Sequence, residues 1–488
     1  MLTRQMMSLA RPHRHYSRHD SCPLVKVMTE SISSAIFREY DIRGVAGRDL
    51  TPTVAHAIGC AFSVLLADRC KTGAIAVGRD NRTSGPELHD ALLQGLTESG
   101  VNVCDVGEVP TPTLYWTLHT RDVMGGIQVT ASHNPPQFNG FKLCIGTAAL
   151  YGDDIQRILT LIQDGRRVRG HGVVRQLQVL DDYVDDIVRR IGTLKGNPAV
   201  VLDGSNGVGA GPARLVLERL GARVTCLSCR SDGHFPDHPP DPSNAHNLAA
   251  LIATVRAEHC GLGLAVDGDA DRVGVIDGSG AMVPGDRVLA LLARDVLPRH
   301  AGASVIFDVK CSMALPTVIQ DAGGVPVMWK TGHSLIEAKM AELQSPLAGE
   351  LSGHMYIGDD YYGFDDAIYA AARLLAIVAR RDTDIRALLA DVPVYPATPE
   401  MRIPCPDDRK FDIVRRAIDH FAREHHVVDM DGARVDYGDG WGLIRASNTE
   451  PALVLRFEAK SDARLKEIEG EMRGWLKTAT AAAAQAKG

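Results

Sequence analysis

The chain is 488 residues long, 45% hydrophobic and 23% charged, with 53 Lys and Arg against 60 Asp and Glu for a formal charge of -7. That length allows three or four domains of ordinary size. The weak acidity argues against nucleic-acid or anionic-membrane partners, which demand dense positive charge, and no apolar run approaches the ~20 residues that span a bilayer.

The first thirty residues carry Arg4, Arg11, Arg14, Arg18 and Lys26 against Asp20 and Glu30, with no apolar core of the kind a secretion signal requires. Residues 1–30 read as a disordered extension, a transit-like leader or an overextended start upstream of Met28, and are set apart from the fold. The ten cysteines are scattered singly except for Cys226 and Cys229. A lone C-x-x-C without a second pair or His ligands is a weak zinc signal, so the expectation is reduced thiols in a cytoplasmic protein.

From residue 31 one grammar is written three times. Residues 74–80, 199–203 and 304–308 are apolar strands that end in Asp. Each leads into a loop, a helix with Pro86, Pro212 or Pro316 in its first turn, a stop at Gly100, Gly221 or Gly323, and a second Val-containing strand. Pro and Gly stand where their backbone preferences put them at helix starts and ends. Apolar strands without alternation are buried on both faces by helices, so the pattern predicts three homologous α/β domains with mixed sheets at 31–176, 177–280 and 281–393.

Beyond residue 394 the pattern changes. Phe411, Val414, Ile418 and Phe421 mark an amphipathic helix, and Val427, Val428 and Val435 flank an Asp431-Gly432 hairpin turn. Strands follow at 442–445 and 453–457, then a last helix from about Asp462 and an Ala-rich tail from Thr478. This C-terminal α+β domain, 394–488, completes four domains expected around one central cleft.

Four motifs carry chemistry, one per domain. The strand at 126–130 runs into Ser132, with His133 beside it and Pro135 and Pro136 stiffening the loop. A hydroxyl held rigidly beside a potential base suits phosphoryl-carrying catalysis, though an ordinary capped turn fits as well. Asp267, Asp269 and Asp271 crowd like charges that repel unless a cation joins them. Arg272 and Gly278 stand where an EF-hand needs Gly and Glu, so Mg²⁺ with positions open to phosphate suits the cluster better than calcium. Glu350 and Ser352 alternate along what reads as an extended segment, which turns both toward neighbouring sugar hydroxyls or makes a plain polar hairpin edge. Arg445, Ser447, Asn448 and Thr449 make an anion cradle or a capped turn. The Gly-rich loop at 204–211 looks like a dinucleotide loop, but Pro212 replaces its last required Gly and no Walker-A sequence occurs.

In this order and spacing the motifs resemble the α-D-phosphohexomutase family, from about Ala35 to the final helix, and within it the bacterial phosphomannomutase/phosphoglucomutase branch. Residues 37–44 (FREYDIRG), 130–136 (TASHNPP), 330–334 (KTGHS) and 363–366 (GFDD) all read like that branch. The resemblance implies an isomerase that moves a phosphoryl group between C1 and C6 of mannose and glucose phosphates. The route it implies is a phosphoserine and a hexose 1,6-bisphosphate, which is also the activator, with one Mg²⁺ per chain. Ser132 is then the phosphoryl carrier and, with Asp267, Asp269 and Asp271, a metal ligand. Glu350 and Ser352 match sugar-hydroxyl readers, and Arg445, Ser447, Asn448 and Thr449 match a clamp for the non-reacting phosphate. Arg43, His133, Lys142, Arg272 and His354 occupy catalytic positions, with neutral His or a desolvated Lys142 as proton carriers, while Tyr40, Lys310 and His333 line the substrate pocket. The expected partners are small hexose phosphates, with no nucleic acid and no membrane, in a cytoplasmic monomer or weak homodimer. The rivals are a phosphoglucosamine mutase, against which Leu351 and Asn448 stand, and a non-catalytic sugar-phosphate-binding protein, in which Ser132 and the three Asp would be dispensable.

Overall fold

The computed structural model describes residues 32–485, so the expectations for residues 1–30 lie outside the described residues. Three units share one strand plan. The first sheet places Asn102–Glu108, Ala74–Arg79, Gly125–Val129 and Phe138–Ile145 side by side; the second does so with Arg223–Leu227, Ala199–Asp203, Leu262–Val266 and Val273–Asp277. The third repeats it with Val325–Trp329, Ser304–Asp308, Leu347–Gly349 and Met355–Ile357. Each has three parallel strands and a fourth antiparallel one, so the sheets are mixed as expected. Ile42–Val45 pairs beyond the fourth strand of the first unit and carries Arg43.

The helices Gly85–Glu98, Ala210–Arg219 and Ala314–Asp321 carry the expected prolines in their first turns. The chain leaves them at Gly100, Gly221 and Gly323, whose φ values of 82°, 98° and 86° cost glycine least. The strands are apolar throughout because both faces are covered. Val200 packs into the cluster holding Ala213, Val216 and Leu217, whereas its neighbour Val201 packs with Leu251 and Val255 on the other side. The aspartate that ends each first strand is buried and caps nearby backbone. Asp80 accepts from the Arg82 N–H at 2.9 Å, Asp203 from Ser205 at 2.9 Å, and Asp308 from Leu351 at 3.2 Å.

The fourth unit is an antiparallel sheet in the order Met401–Pro404, Ala452–Ala459, Gly440–Ala446, Ala433–Asp436, His426–Val428. It shares one core with the helices Asp407–Phe421 and Asp462–Gln485. Two expectations need correcting here. Phe411 is 58% exposed, because Lys410 takes an inward position and donates to the carbonyls of Ser447 and Glu450 at 2.5 and 3.0 Å. The Ala-rich stretch from Thr478 also continues the last helix to Gln485, as alanine's high helix propensity allows.

The reduced state expected for all cysteines fails at one place. Cys226 and Cys229 form a disulfide, their Cα atoms 5.9 Å apart. Ser228, at φ 49°, turns the chain back just after the strand Arg223–Leu227 and brings the two sulfurs together. Among the described residues no helix is long and apolar enough to cross a membrane.

Candidate active site

The four units meet in a ring. Ser132 and Lys142 of the first unit bond aspartates of the second, and Arg272 of the second donates from Nε to His354 Nε2 of the third at 2.9 Å. Lys310 of the third lies 3.5 Å from Glu400 of the fourth, and the Thr331 N–H donates to Asp431 at 3.0 Å. Asn448 of the fourth closes the circle by donating to the Tyr40 hydroxyl, which itself donates to the Thr331 carbonyl at 2.6 Å. Residues spread over four sequence motifs are thereby gathered at one junction.

Ser132 is 2% exposed and adopts φ 50°. Its Oγ donates to Asp267 Oδ2 at 2.8 Å and stands 3.1 Å from His133 Nδ1. The loop is held in this conformation by Arg82, a residue the sequence reading missed. This fully buried guanidinium is paired with Asp80 and donates to the carbonyls of Ser132, Asn134, Pro135 and Phe138 at 2.7–3.1 Å. Arg43 braces the same loop through Asn134 Oδ1 at 2.7 Å and pairs with Asp41.

Asp267, Asp269 and Asp271 are buried with ligand atoms within 4.8 Å of one another, a group that could hold a metal ion. The backbone N–H groups of Asp271 and Arg272 fold onto Asp267 Oδ1, which bends the loop so that the three carboxylates converge. Asp269 Oδ1 and Asp271 Oδ1 are buried without a hydrogen-bond partner. Orphaned carboxylate oxygens beside a serine hydroxyl suit a hard divalent cation. Burial and the neighbouring carboxylates push Asp267 well above the usual carboxylate range, whereas Lys142, His354 and Arg272 overcome burial and hold Asp271 well below it.

Lys142 donates to Asp269 and Asp271 at 3.0 and 2.5 Å. Burial alone would lower its pKa, but those carboxylates hold it above the ordinary lysine value. Those two contacts keep the Lys142 amine charged.

Three imidazoles face the junction. His333 opens the helix His333–Leu343 beneath Tyr40, and His354 lies between Arg272 and Asp365, whose Oδ2 is 2.8 Å from His354 Nδ1. Burial pushes His133, His333 and His354 below the ordinary histidine value; cationic Arg272 adds to this at His133 and Lys142 at His333. The unfolded chain protonates these rings near pH ~6.5, so below that pH it binds more protons than the folded chain and stability falls as pH drops. The thermal midpoint should therefore decline as pH falls from about 7 to about 5.5, less steeply in His333→Gln; identical slopes for both proteins would show that this ring titrates as it does in water.

Glu350 and Ser352 do not lie on an extended segment. Glu350 and Gly353 close a tight turn, with Gly353 at φ 97°, between the strands Leu347–Gly349 and Met355–Ile357. The turn still brings Ser352 Oγ within 3.4 Å of Glu350 Oε2, and Tyr356 braces Oε1 at 3.1 Å. Lys310 sits behind them, 3.3 Å from Asp308. In the fourth unit Asp431 grips Arg445 through both carboxylate oxygens at 3.1 and 3.2 Å. Ser447 Oγ lies 3.4 Å from Thr449 Oγ1 and accepts from the Glu450 N–H, so the loop presents its polar atoms on a braced turn.

A triplicated α/β body closed by an antiparallel fourth unit over a serine and three carboxylates is the architecture of a phosphoryl-transfer enzyme. Residues 34–168, 181–280, 284–395 and 400–474 match, in turn, domains I, II and III and the C-terminal domain of phosphoglucomutase/phosphomannomutase. The chain belongs to this family. It is 45% identical over 452 residues to a Pseudomonas aeruginosa phosphomannomutase/phosphoglucomutase, covering 92% of this chain and 96% of the relative. A Neisseria gonorrhoeae phosphoglucomutase is 41% identical over 453 residues, 92% of this chain and 98% of that protein. A crystal structure of a family protein from Burkholderia thailandensis superposes with a TM-score of 0.86 at 44% identity, covering 92% and 98% of the two chains.

Proposed function

We propose that this protein reversibly transfers a phosphoryl group between C1 and C6 of mannose and glucose monophosphates, with Ser132 as the carrier. One observation carries the reading: Ser132 Oγ is fixed by a buried arginine 2.8 Å from the first of three converging carboxylates, at the junction of all four units. A phosphoserine there gives its phosphoryl to one end of a hexose phosphate and forms the 1,6-bisphosphate. The sugar turns round, and its other phosphate returns to the Ser132 oxygen. Such transfer rests on in-line positioning and charge neutralisation. Mg²⁺ held by Asp267, Asp269, Asp271 and Ser132 would polarise the phosphoryl oxygens. Arg43, Lys142 and Arg272 add fixed positive charge. Glu350 and Ser352 read the 3- and 4-hydroxyls, and Arg445, Ser447, Asn448 and Thr449 hold the resting phosphate. Nothing in that set senses C2, so mannose and glucose phosphates are both substrates.

His354 is the imidazole whose charge a neighbouring carboxylate tunes most directly. Asp365 Oδ2 stands 2.8 Å from its Nδ1, and Arg272 Nε donates to its Nε2 at 2.9 Å, so the ring sits between a carboxylate and a fixed cation. Asp365→Asn should lower kcat roughly 10–100-fold and move the acid limb of the pH–rate profile, with a smaller effect on KM. A loss of activity with an unmoved limb would reduce Asp365 to a structural role.

The deciding experiment compares turnover of mannose 1-phosphate, glucose 1-phosphate and glucosamine 1-phosphate, each primed with the hexose 1,6-bisphosphate. Comparable rates for the first two support the reading; preference for the amino sugar overturns it.

A further inference from the structure

We propose that the Cys226–Cys229 pair is a thiol–disulfide exchange site through which a dithiol reductant sets the order of the Ser132 loop. The proposal rests on the reading of Ser132 as phosphoryl carrier. Both cysteines are partly exposed at the end of an edge strand, whereas the other cysteines among the described residues are unpaired. A disulfide in a chain whose cysteine usage otherwise suits a reducing compartment points to exchange rather than to a permanent staple.

The cross-link brackets Ser228, which sits at φ 49°, a conformation that residues other than glycine seldom adopt. In that conformation the Ser228 carbonyl accepts from the Asn206 N–H at 2.7 Å, while the Leu227 carbonyl accepts from Gly204 at 2.9 Å. Asn206 passes the connection on. Its side chain donates to the Arg230 carbonyl at 3.1 Å, and its own carbonyl accepts from Asn81 Nδ2 at 2.7 Å. Asn81 also donates to Ser231 Oγ at 2.8 Å, and Gly233 lies so close that a Cβ there would meet the Asn81 carbonyl at 2.1 Å. The Phe235 ring lies 5.0 Å from the guanidinium of Arg82, the residue that holds the Ser132 loop by four carbonyls.

The glycine-rich loop gives a second route. A Cβ on Gly207 would fall 2.6 Å from the Gly268 carbonyl, and one on Gly268 would fall 2.5 Å from the Ser132 carbonyl. These glycines serve close backbone packing between the disulfide turn, the aspartate loop and the serine loop, not a nucleotide.

In the exchange, one thiolate of the reductant bonds to one protein sulfur and breaks the Cys226–Cys229 bond, releasing the other sulfur as a thiolate that takes a proton. The second thiol of the reductant then closes its own disulfide and frees the first cysteine. The pair gains two electrons and two protons, and the dithiol is oxidised by the same amount. Without the cross-link Ser228 leaves the left-handed region, the Asn206 N–H loses its acceptor, and the contact of residues 228–238 with Arg82 loosens.

The test uses the full chain purified without reductant, then treated with dithiothreitol under native conditions. We expect two additional titratable thiols mapped to Cys226 and Cys229, a roughly three- to tenfold fall in kcat and faster amide exchange at residues 130–138. Re-oxidation should restore all three, and the double variant Cys226→Ser/Cys229→Ser should behave as the reduced protein and ignore dithiothreitol. Reduction that leaves both kcat and exchange unchanged overturns the proposal, as does a pair already reduced in the untreated protein. If the double variant fails to fold, the reversible wild-type titration decides. If no hexose phosphate turns over in either state, the exchange at 130–138 still decides the coupling while the substrate reading fails separately.

Discussion

Ser132→Ala should lower turnover of glucose 1-phosphate by at least about a thousandfold, because the reaction loses the atom that carries phosphorus between the two ends of the sugar. No nearby hydroxyl can replace it. Thr130 Oγ1 is already committed to Asp80 at 2.7 Å and Asp269 at 3.2 Å, and it lies buried behind the loop. The fold should survive, since the Ser132 side chain contributes a contact to Asp267 and one to His133 while Arg82 holds the backbone. The check is a coupled assay primed with glucose 1,6-bisphosphate, together with transfer of labelled phosphate from that compound to the protein. The wild type should take the label and the variant should not. Undiminished turnover by an unlabelled variant would falsify the covalent mechanism outright.

Removing the metal should have an effect of similar size. EDTA should stop turnover and added Mg²⁺ restore it, and Asp269→Asn should cost at least about a hundredfold while raising the Mg²⁺ concentration needed for half-maximal rate. Asp269 is the instructive choice because its Oδ2 is engaged by Thr111, Thr130 and Lys142 whereas its Oδ1 has no partner. An amide can keep accepting on one side while losing the charge a cation needs. The same change relieves repulsion among three buried carboxylates, so the thermal midpoint of metal-free protein should hold steady or rise as activity disappears. Turnover indifferent to chelation would leave the aspartates with a structural task only.

How much of this was legible in the sequence depended on whether a residue's partner lay close along the chain. The three repeated units could be read because proline, glycine and β-branched residues act on their own backbone. The Asp267–Asp271 cluster could be read because crowded like charges are anomalous wherever they occur. Arg82 could not, since an arginine in a polar loop looks solvated, and the four carbonyls it serves lie 50 to 56 positions away. Asp365 sat inside a recognisable stretch without a role until His354 came within 2.8 Å of it. Asp431 read as a plain turn residue, although its carboxylate holds Arg445 and anchors Thr331 of the neighbouring unit. Alternation misplaced Glu350 on a straight strand because a four-residue turn and a short strand leave the same spacing. Phe411 was misassigned because the helix buries an amine that two remote carbonyls require.

The aspartate at the end of each first strand shows what copying a unit twice left behind. In the first copy it grips Arg82 at 3.0 Å, in the second His238 at 3.1 Å, in the third Lys310 at 3.3 Å. One inherited anionic corner has thus acquired three different basic tenants, and in the outer two copies the tenant reaches directly toward the serine loop or the sugar loop. Divergence of duplicated architecture here proceeded by changing the lodger and keeping the room.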